Sequence, residues 1–234
     1  MSAEPEACKR AAARAALAEV RDGMVVGLGS GSTAEHFVAE LGARGLDIHG
    51  VPTSERIATH ARAHGIPLAS LDTVPRIDVT IDGADEIEPH TLGLTKGRGG
   101  SLLREKLVAL ASRRVVIIAD ASKLVAALGE RAAIPVEVIR FGWRHTAASL
   151  QALGAAVALR TVAGQPFVTD EGHYILDCQF GPLAEPGQLA TTLKELTGVV
   201  EHGLFLGVAH RAYVAGAHGV QVLDRPGPCA GCTH

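Results

Sequence analysis

A glycine-rich segment directly after an apolar run is the first part of the sequence that could bind a ligand. Residues 27–33 read GLGSGST and lie between MVV at 24–26 and AEHF at 34–37. A strand that ends in glycines and opens into a helix aims backbone N–H groups at one point, which favours an anion, most often phosphate. The glycines alternate, unlike a dinucleotide fingerprint, and no Gly-Lys-Ser/Thr follows. The segment therefore predicts a phosphate site without a nucleotide.

Three carboxylates crowd into the segment DGADEI at 82–87. Asp82, Asp85 and Glu86 would raise one another's pKa at a strand end unless a cation or hydrogen-bond donors lie close. We therefore expect a positive group beside them. Two other interpretations stay open: a solvated acidic loop in which Asp82 caps a turn, and a magnesium site.

The expected cation is Lys96, the first residue of the segment KGRGGSLLREK. The chain has five lysines and seventeen arginines, so lysine is not its default positive residue. Lysine supplies a compact charge with rotatable donors, which suits a developing oxyanion, whereas arginine supplies a flat fork. A solvent-facing loop lysine is the alternative that this argument leaves open.

Glu105 follows on the helix that this loop opens. We expect Leu103, Leu107 and Leu110 to form the buried stripe of that helix, and a rotation of about 100° per residue places Glu105 well off the stripe. The alternative is a surface glutamate, but no basic residue stands three or four positions away to pair with it. A carboxylate one turn into a helix, near a lysine and a phosphate loop, is typical of a general base that moves a proton between carbons.

The elements that would position these segments alternate between strand and helix. Such alternation implies a parallel sheet covered on both faces, with the ligand site at the carboxyl ends of its strands, where all three segments lie. The pattern predicts helix 5–21, strand 24–29, helix 33–43, strand 48–52, a helix from Ser54 to about His64, strand 78–83, helix 100–111 and a buried strand at 114–120.

The pattern changes from about Ile134. The segments IPVEVI, AVALRTV and FVTDEGHYILD, with helices near 145–153 and 186–196, predict a small antiparallel α+β unit, and two later strands within 203–223 could rejoin the first sheet. We expect a Rossmann-like, mostly parallel sheet with helices on both faces, plus a smaller ferredoxin-like α+β inserted domain. The expected division is 1–130 with 205–224 for the catalytic domain, 131–204 for the inserted domain and 225–234 for a flexible tail.

Composition argues against several classes of partner. Hydrophobic residues make up 47% of the chain and charged residues 20%, and the net charge of -3 gives no reason to expect nucleic acid or an anionic membrane as partner. Arg14 and Glu19 interrupt the only apolar N-terminal stretch, so neither a signal peptide nor a membrane span is predicted. We expect a cytoplasmic protein.

Two patterns have the spacing of metal ligands. The segment CAGCTH at 229–234 holds Cys-x-x-Cys beside a histidine, but no second ligand pair accompanies it, so a frayed tail is favoured over a zinc or redox site. His60 and His64 lie four apart on a predicted helix without the glutamate of a zinc protease, so surface histidines are favoured. We predict no metal site.

Six segments together resemble ribose-5-phosphate isomerase of the A type. GLGSGSTAEHF, VPTSERIA, DGADEI, KGRGGSLLREK, ADASK and IPVEVI occur in that family's order and spacing, and the similarity runs from the first helix to about Leu223. The resemblance implies an isomerase of D-ribose 5-phosphate and D-ribulose 5-phosphate in the non-oxidative pentose phosphate pathway. It also implies a small-molecule sugar phosphate as ligand, no cofactor, and a homodimer or a dimer of dimers.

The resemblance assigns roles position by position. It makes Glu105 the proton acceptor and Lys96, Asp82 and Asp85 the other catalytic residues. Arg98 stands where the family commonly has glycine, and we expect its side chain to turn outward. The substrate contacts that the resemblance implies come from Ser30, Gly31, Ser32, Thr33, Asp82, Gly83, Ala84, Asp85, Lys96, Gly97, Arg98, Gly99 and Lys123.

A sugar-phosphate-sensing domain of a regulator is the alternative from another functional class. It would need the phosphate loop but neither Glu105 nor Lys96. It would also normally carry a DNA-binding segment, whereas a single helix precedes the first strand of this sequence. An amino-sugar phosphate deaminase would share the fold and the proton chemistry, but these segments do not support it.

Overall fold

The computed structural model describes residues 3–226, with side chains from residue 5 onward. The Cys-x-x-Cys pattern and nearly all of the predicted flexible tail lie outside the described residues. The first helix is shorter than expected and is followed by a 3-10 turn, Leu17–Glu19. The α-helices of the described part are α1 Ala3–Ala16, α2 Ser32–Gly42, α3 Glu55–Ala63, α4 Leu102–Leu110, α5 Trp143–Ala152 and α6 Pro186–Glu195.

The strands match the predicted positions to within a few residues and add several short pairs. They are β1 Val25–Leu28, β2 His49–Pro52, β3 Val79–Asp82, β4 Glu86–Glu88, β5 Gly93–Thr95, β6 Val115–Asp120, β7 Ile134–Val138, β8 Ala156–Leu159, β9 Thr161–Val162, β10 Gln165–Pro166, β11 Tyr174–Gln179, β12 Val199–His202, β13 Leu204–Phe205, β14 Arg211–Gly216 and β15 Gly219–Asp224.

The largest sheet has the strand order β15-β14-β6-β3-β1-β2. The pairs β1–β2, β1–β3, β3–β6 and β6–β14 are parallel, and the edge strand β15 is antiparallel to β14. Every residue of β6 is buried, as expected for a parallel strand whose two faces are both covered. The sheet confirms the predicted fold class, including the return of the last two strands.

Both faces of this sheet carry a hydrophobic core. Helices α1, α2 and α3 cover one face, where Phe37 and Ile57 pack with strand residues such as Ile118. The opposite face is covered by α4 and by a three-stranded sheet, β13-β5-β4, through Phe205 and Leu94. Burying a side chain of this size stabilises the fold by about 1.5–3 kcal/mol. These elements cover the two faces of the sheet and leave uncovered the edge where the carboxyl ends of the parallel strands continue into loops.

A second sheet lies within residues 134–202. Its elements follow one another as β7, α5, β8, β11, α6 and β12, and its strands pair antiparallel in the order β12-β7-β11-β8. Helices α5 and α6 pack on it through Leu150 and Leu193, both fully buried. This β-α-β-β-α-β order agrees with the ferredoxin-like α+β unit expected from the sequence. The division of the chain into a catalytic and an inserted domain stays a prediction.

The predicted leucine stripe on α4 is wrong. Leu107 is 50% exposed and Leu110 is 68% exposed, Leu103 is half-buried, and Glu105 is only 4% exposed. A hydrophobic stripe indicates the buried face of a helix when the surface beneath it is apolar. The buried face of α4 instead contains the apolar Leu102, Val108 and Ala109. Glu105 lies on the same face, where it pairs with Lys96, so Leu107 and Leu110 turn outward.

His60 of α3 and His64, the residue after this helix, contact each other and the backbone. The rings of His60 and His64 lie 4.4 Å apart, and each ring contacts a backbone carbonyl. Across the described residues, no three side chains of metal-ligating type come together as a metal site would require. Among the helices of that same part of the chain, none has the length and apolar character to cross a bilayer.

Candidate active site

The loops after β1, β3 and β6 open onto one cavity of about 740 Å³. Its wall includes the predicted substrate segments 30–33, 83–85 and 96–99 as well as Lys123, and Glu105 also faces it. The carboxyl ends of parallel strands lie at the same edge of a sheet, which is why loops far apart in sequence meet here. Asp82 is not part of this wall and lies against Lys96, and its predicted contact with the substrate stays a prediction.

The glycine loop ends at the N-terminus of α2. Gly31 precedes the helix with a φ of 105°, in the region that favours glycine. Ser32 and Thr33 are the first helical residues, and both line the cavity. The first N–H groups of a helix lack intrahelical acceptors and carry its positive dipole end. This wall of the cavity therefore suits an anion.

Ser30 has its hydroxyl turned toward the protein. Its Oγ lies 2.8 Å from Thr53 Oγ1 and donates to Ser54 Oγ at 2.8 Å. Thr53 in turn donates to Leu28 O at 2.9 Å. The Ser30 hydroxyl thus joins the glycine loop to the start of α3, and the substrate contact of this residue stays a prediction.

Lys96 is the cation that the acidic loop requires. Its Nζ donates to Gly83 O at 2.6 Å and lies 2.9 Å from Asp82 Oδ2 and 3.4 Å from Glu105 Oε2. Burial lowers the pKa of Lys96, but the charges of the two carboxylates outweigh burial and raise it above its ordinary value. Gly29 allows the close approach of the glycine loop, since a Cβ there would lie 2.1 Å from Asp82 Oδ1. Lys96 therefore stays charged.

The two carboxylates beside Lys96 differ in how well their charge is satisfied. Burial raises the pKa of Glu105 to about 8; the charge of Lys96 opposes this rise, and those of Asp82 and Asp85 add to it. Burial also raises the pKa of Asp82, against the charge of Lys96. Asp82 lies closer to Lys96 and accepts the Gly83 N–H at 2.7 Å, whereas Glu105 Oε2 accepts no hydrogen bond from any described residue. The charge of Glu105 is therefore less well satisfied by its neighbours than that of Asp82.

The loop after Lys96 is held from two sides. Asp85 Oδ2 accepts the Arg98 N–H at 2.9 Å, and Arg160 Nη1 donates to Gly97 O at 2.7 Å and to Arg98 O at 3.0 Å. Arg160 is itself paired with Asp177. The backbone is thus fixed while the Arg98 side chain is exposed, in agreement with its expected outward orientation.

Two further lysines line the cavity. Lys123 is the last residue of a 3-10 turn, Ala121–Lys123, that Asp120 caps, with Asp120 Oδ1 accepting the Ser122 N–H at 3.0 Å. Lys9, on α1, was not predicted as a site residue, and its Nζ donates to Glu6 Oε1 at 2.7 Å. One signal could have found it, since lysines are rare here and three of the five line this cavity.

Glu86 does not belong to the acidic cluster that the sequence predicted. It is 1% exposed and accepts hydrogen bonds from Thr95 Oγ1 and from the backbone N–H groups of Gly129, Arg131 and Ala132. Its two oxygens fix the connection between β6 and β7, whereas Asp85 accepts the Arg98 N–H on the cavity side. Of the three carboxylates in this segment, only Asp82 and Asp85 therefore lie near Lys96 and Glu105.

The fold and the site define a class: an α/β protein with a helix N-terminus facing a cavity at the carboxyl edge of a parallel sheet, and a buried lysine between two carboxylates beside it. The sequence profile described as Ribose 5-phosphate isomerase A (phosphoriboisomerase A) matches residues 49–219. The chain belongs to this family.

Relatives and solved structures agree with that assignment. Ribose-5-phosphate isomerase A of Synechococcus sp. (strain JA-3-3Ab) is 57% identical over 226 residues, which cover 94% of this chain and 98% of that protein. The enzyme of the same name from Gloeobacter violaceus is 54% identical, with coverages of 92% and 95%. A D-ribose-5-phosphate isomerase in complex with phospho-erythronic acid superposes with a TM-score of 0.91 at 38% identity, covering 94% of this chain and 99% of that one. Ribose 5-phosphate isomerase A from Methanocaldococcus jannaschii gives 0.89 at 38% identity, with the same coverages.

Proposed function

We propose that this protein interconverts D-ribose 5-phosphate and D-ribulose 5-phosphate through an enediolate, as an aldose–ketose isomerase of the non-oxidative pentose phosphate pathway. The observation that carries the proposal is the buried group of Asp82, Lys96 and Glu105 beside a cavity that has an anion site at another wall. Family membership and the names of the relatives support the same reaction.

The phosphate of the substrate binds at the start of α2. Gly31, Ser32 and Thr33 offer backbone N–H groups and two hydroxyls, and Lys9 and Lys123 add positive charge to the same cavity. Hydrogen bonds to a charged group are stronger than those between neutral groups. Anchoring the phosphate fixes the distance from the far end of the open-chain sugar to Glu105, which favours a reactive orientation.

Proton transfer takes place at the other end of the ring-opened sugar. Glu105 removes the proton from C2 and returns it to C1, while the Lys96 ammonium stabilises the negative oxygen of the enediolate. Asp85 lies on the cavity wall, where it holds hydroxyl groups and moves protons between oxygens. Asp82 keeps Lys96 charged and directed at the reacting oxygen. No cofactor takes part in this scheme.

A sugar-phosphate sensor is not favoured. Such a domain would use the anion site but would gain nothing from two carboxylates that are 2% and 4% exposed around one lysine. Burying charged groups costs several kcal/mol per ion even when they are paired. The presence of two buried carboxylates around Lys96 beside the cavity therefore favours catalysis over ligand sensing.

The decisive experiment follows the formation of ribulose 5-phosphate from ribose 5-phosphate by the purified protein in the presence of EDTA. We expect conversion that is unaffected by the chelator. Absence of any conversion would contradict the proposed function. Activity that EDTA removes and a divalent cation restores would keep the isomerase but require a metal in its mechanism.

Replacing both Ser32 and Thr33 by alanine is expected to raise KM for ribose 5-phosphate by at least about tenfold, since a hydrogen bond to a charged group contributes roughly 1.5–3 kcal/mol. Steady-state kinetics with both sugars as substrate measure the change. The matched control is alanine at Thr191 and Thr192, two hydroxyls of α6 that bond only within their own helix. An unchanged KM in the Ser32 and Thr33 variant would show that the phosphate binds elsewhere.

The pH dependence of kcat/KM is expected to show an acid limb with a midpoint near the pKa of Glu105, about 8. A general base must be ionised, so kcat/KM rises with pH below that value and levels off above it. Asp82→Asn removes a negative charge that raises this pKa, so the limb should move to lower pH. Measurements between about pH 6.5 and pH 9 avoid most of the ionisation of the substrate phosphate, whose second pKa is about 6. A flat profile over that range would contradict the assignment.

We also propose that the protein forms a homodimer or a dimer of dimers. Leu107 and Leu110, three residues apart on α4, are 50% and 68% exposed, and Phe141 is 91% exposed. Neighbouring apolar side chains three or four residues apart on a helix form a contiguous surface, and contiguous exposed apolar surface marks protein–protein interfaces. Light scattering after size exclusion should give two or four times the chain mass of 24.2 kDa. A species with the mass of one chain at all concentrations would contradict this proposal.

A further inference from the structure

Helix α4 buries two consecutive charged residues that point in different directions. Glu105 faces the cavity, whereas Lys106 faces Glu201 and His202 at the end of β12. Lys106 is 9% exposed, and its Nζ donates to Glu201 Oε1 and to His202 O, each at 2.7 Å. Burial lowers its pKa, and the neighbouring Glu201 opposes that effect. The proposed reaction makes no direct use of this buried ammonium.

The segment that Lys106 contacts also determines where the backbone of Lys96 lies. Gly203 O accepts the Lys96 N–H at 2.8 Å, and Gly203 N donates to Pro135 O at 2.7 Å. The approach is close, since a Cβ at position 203 would lie 2.2 Å from Lys96 O. His202, whose carbonyl accepts from Lys106, is the adjacent residue. A shift of residues 202–203 would therefore be transmitted directly to Lys96.

Phe205 provides a second connection between the two lysines. Its ring is 1% exposed, and its centroid lies 4.7 Å from Lys106 Nζ and 5.6 Å from Lys96 Nζ. Both distances are within the range of cation–π attraction, which is stronger when the groups are removed from water. The pairing of Phe205 with Leu94 fixes the ring beside β5, which leads directly into Lys96.

We propose that Lys106 is a positioning residue for the isomerase reaction, which holds the 202–205 segment so that Lys96 stays between Asp82 and Glu105. This inference rests on the proposed function. Lys106 touches no reacting atom and acts through the backbone of Gly203 and the ring of Phe205. Without it, the Lys96 ammonium moves away from the enediolate oxygen that it must stabilise.

A purely structural ion pair is the competing explanation, and the surroundings of Glu201 allow the two to be separated. Lys194 also donates to Glu201, at 3.0 Å, and to Val200 O at 2.7 Å. Glu201 therefore keeps a cationic partner when Lys106 is replaced, which limits the loss of stability. His202 O loses the Lys106 donor in any such variant. Lys194→Met is the matched control, because it removes a partner of the same carboxylate without touching His202.

The experiment compares Lys106→Met, the double variant Lys106→Met with Glu201→Gln, and Lys194→Met with the parental enzyme. We expect Lys106→Met to lower kcat by roughly ten- to a hundredfold with KM within about twofold, the pattern of a misplaced catalytic group. Lys194→Met should retain parental kcat. The double variant removes both buried charges and should recover thermal stability, yet it should keep the kcat defect.

Two further measurements distinguish mispositioning of Lys96 from a loss of stability alone. They are the midpoint of the acid limb of kcat/KM and the position of Lys96 in crystal structures of the variants. The charge of Lys96 lowers the pKa of Glu105, while Asp82 and Asp85 raise it. A less closely held Lys96 should therefore move the limb of Lys106→Met to higher pH, and its Nζ should lie farther from Asp82 in the crystal. The inference would be overturned if Lys106→Met had the parental kcat and the parental midpoint of the acid limb. It would also be overturned if kcat recovered together with Tm in the double variant. An inactive parental enzyme would contradict the proposed function instead, and the distance from Lys96 to Asp82 would still decide the positioning role.

Discussion

Glu105→Gln is expected to lower kcat by at least about a hundredfold while KM stays nearly unchanged. Glutamine keeps the shape of glutamate and much of its hydrogen bonding, but it cannot accept a proton. The side chain is 4% exposed and lies beside Lys96, so the substitution removes the base without opening the cavity to water. Steady-state kinetics give kcat and KM, and incorporation of solvent deuterium at C2 should fall in parallel with kcat.

The control for this variant is Glu195→Gln, which makes the same change at an exposed position of α6. It should behave as the parental enzyme. A Glu105→Gln protein that still exchanges the C2 proton at the parental rate would place the base elsewhere. Asp85 on the cavity wall would then be the first candidate, and the buried Asp82 the second.

Lys96→Met is expected to lower kcat by about 10² to 10³, the usual effect of removing one group that stabilises an oxyanion. Methionine keeps the length of the side chain but has no charge or donor. Loss of one partner of a buried ion pair costs about 3–5 kcal/mol in general. Protonation of Glu105 in the variant should reduce this cost. Circular dichroism and Tm are measured alongside the kinetics to establish that the variant is folded.

Arg98→Gly is the matched comparison for Lys96, because both cations belong to the same loop. The Arg98 side chain is exposed, and its backbone contacts to Asp85 and Arg160 do not need the guanidinium. We expect kcat of Arg98→Gly to stay within a few-fold of the parental value. If Arg98→Gly alone abolished turnover, Arg98 and not Lys96 would be the catalytic cation.

Burial of Glu105 beside Lys96 lowers the stability of the folded protein at the pH at which this residue can act as a base. Glu105 has a folded-state pKa raised above its ordinary value, so ionising it favours the unfolded chain. The contribution of this residue to the free energy of unfolding is therefore greatest below about pH 4.5 and decreases as pH rises toward 8. Catalysis needs the ionised form, which is the less stable one. Such opposition between stability and activity is common at active sites.

The sequence by itself determined the elements and the place of the site. Continuous apolar runs such as 115–120 predicted fully buried parallel strands, and Ser54 was predicted to cap a helix, which it does by accepting the Ile57 N–H at 3.2 Å. These features depend on residues close together in the chain. Since parallel strands present their carboxyl ends at one edge, the predicted strands also implied that the glycine loop, Asp82 and Lys96 lie near one another.

The inward face of α4 and the actual partners of the charged residues were decided by the tertiary structure. Glu105 turns inward with Leu102 and Val108, on a face that the helical pattern did not indicate, and meets the predicted cation Lys96 there. Lys106 is buried because Glu201, 95 residues away, meets it. Glu86 lies outside the acidic cluster because it accepts hydrogen bonds from backbone N–H groups more than 40 residues downstream. Local periodicity contains no information about such partners. The buried direction of a charged side chain depends on which distant segment supplies the opposite charge or the donors, and only the folded chain brings those segments together.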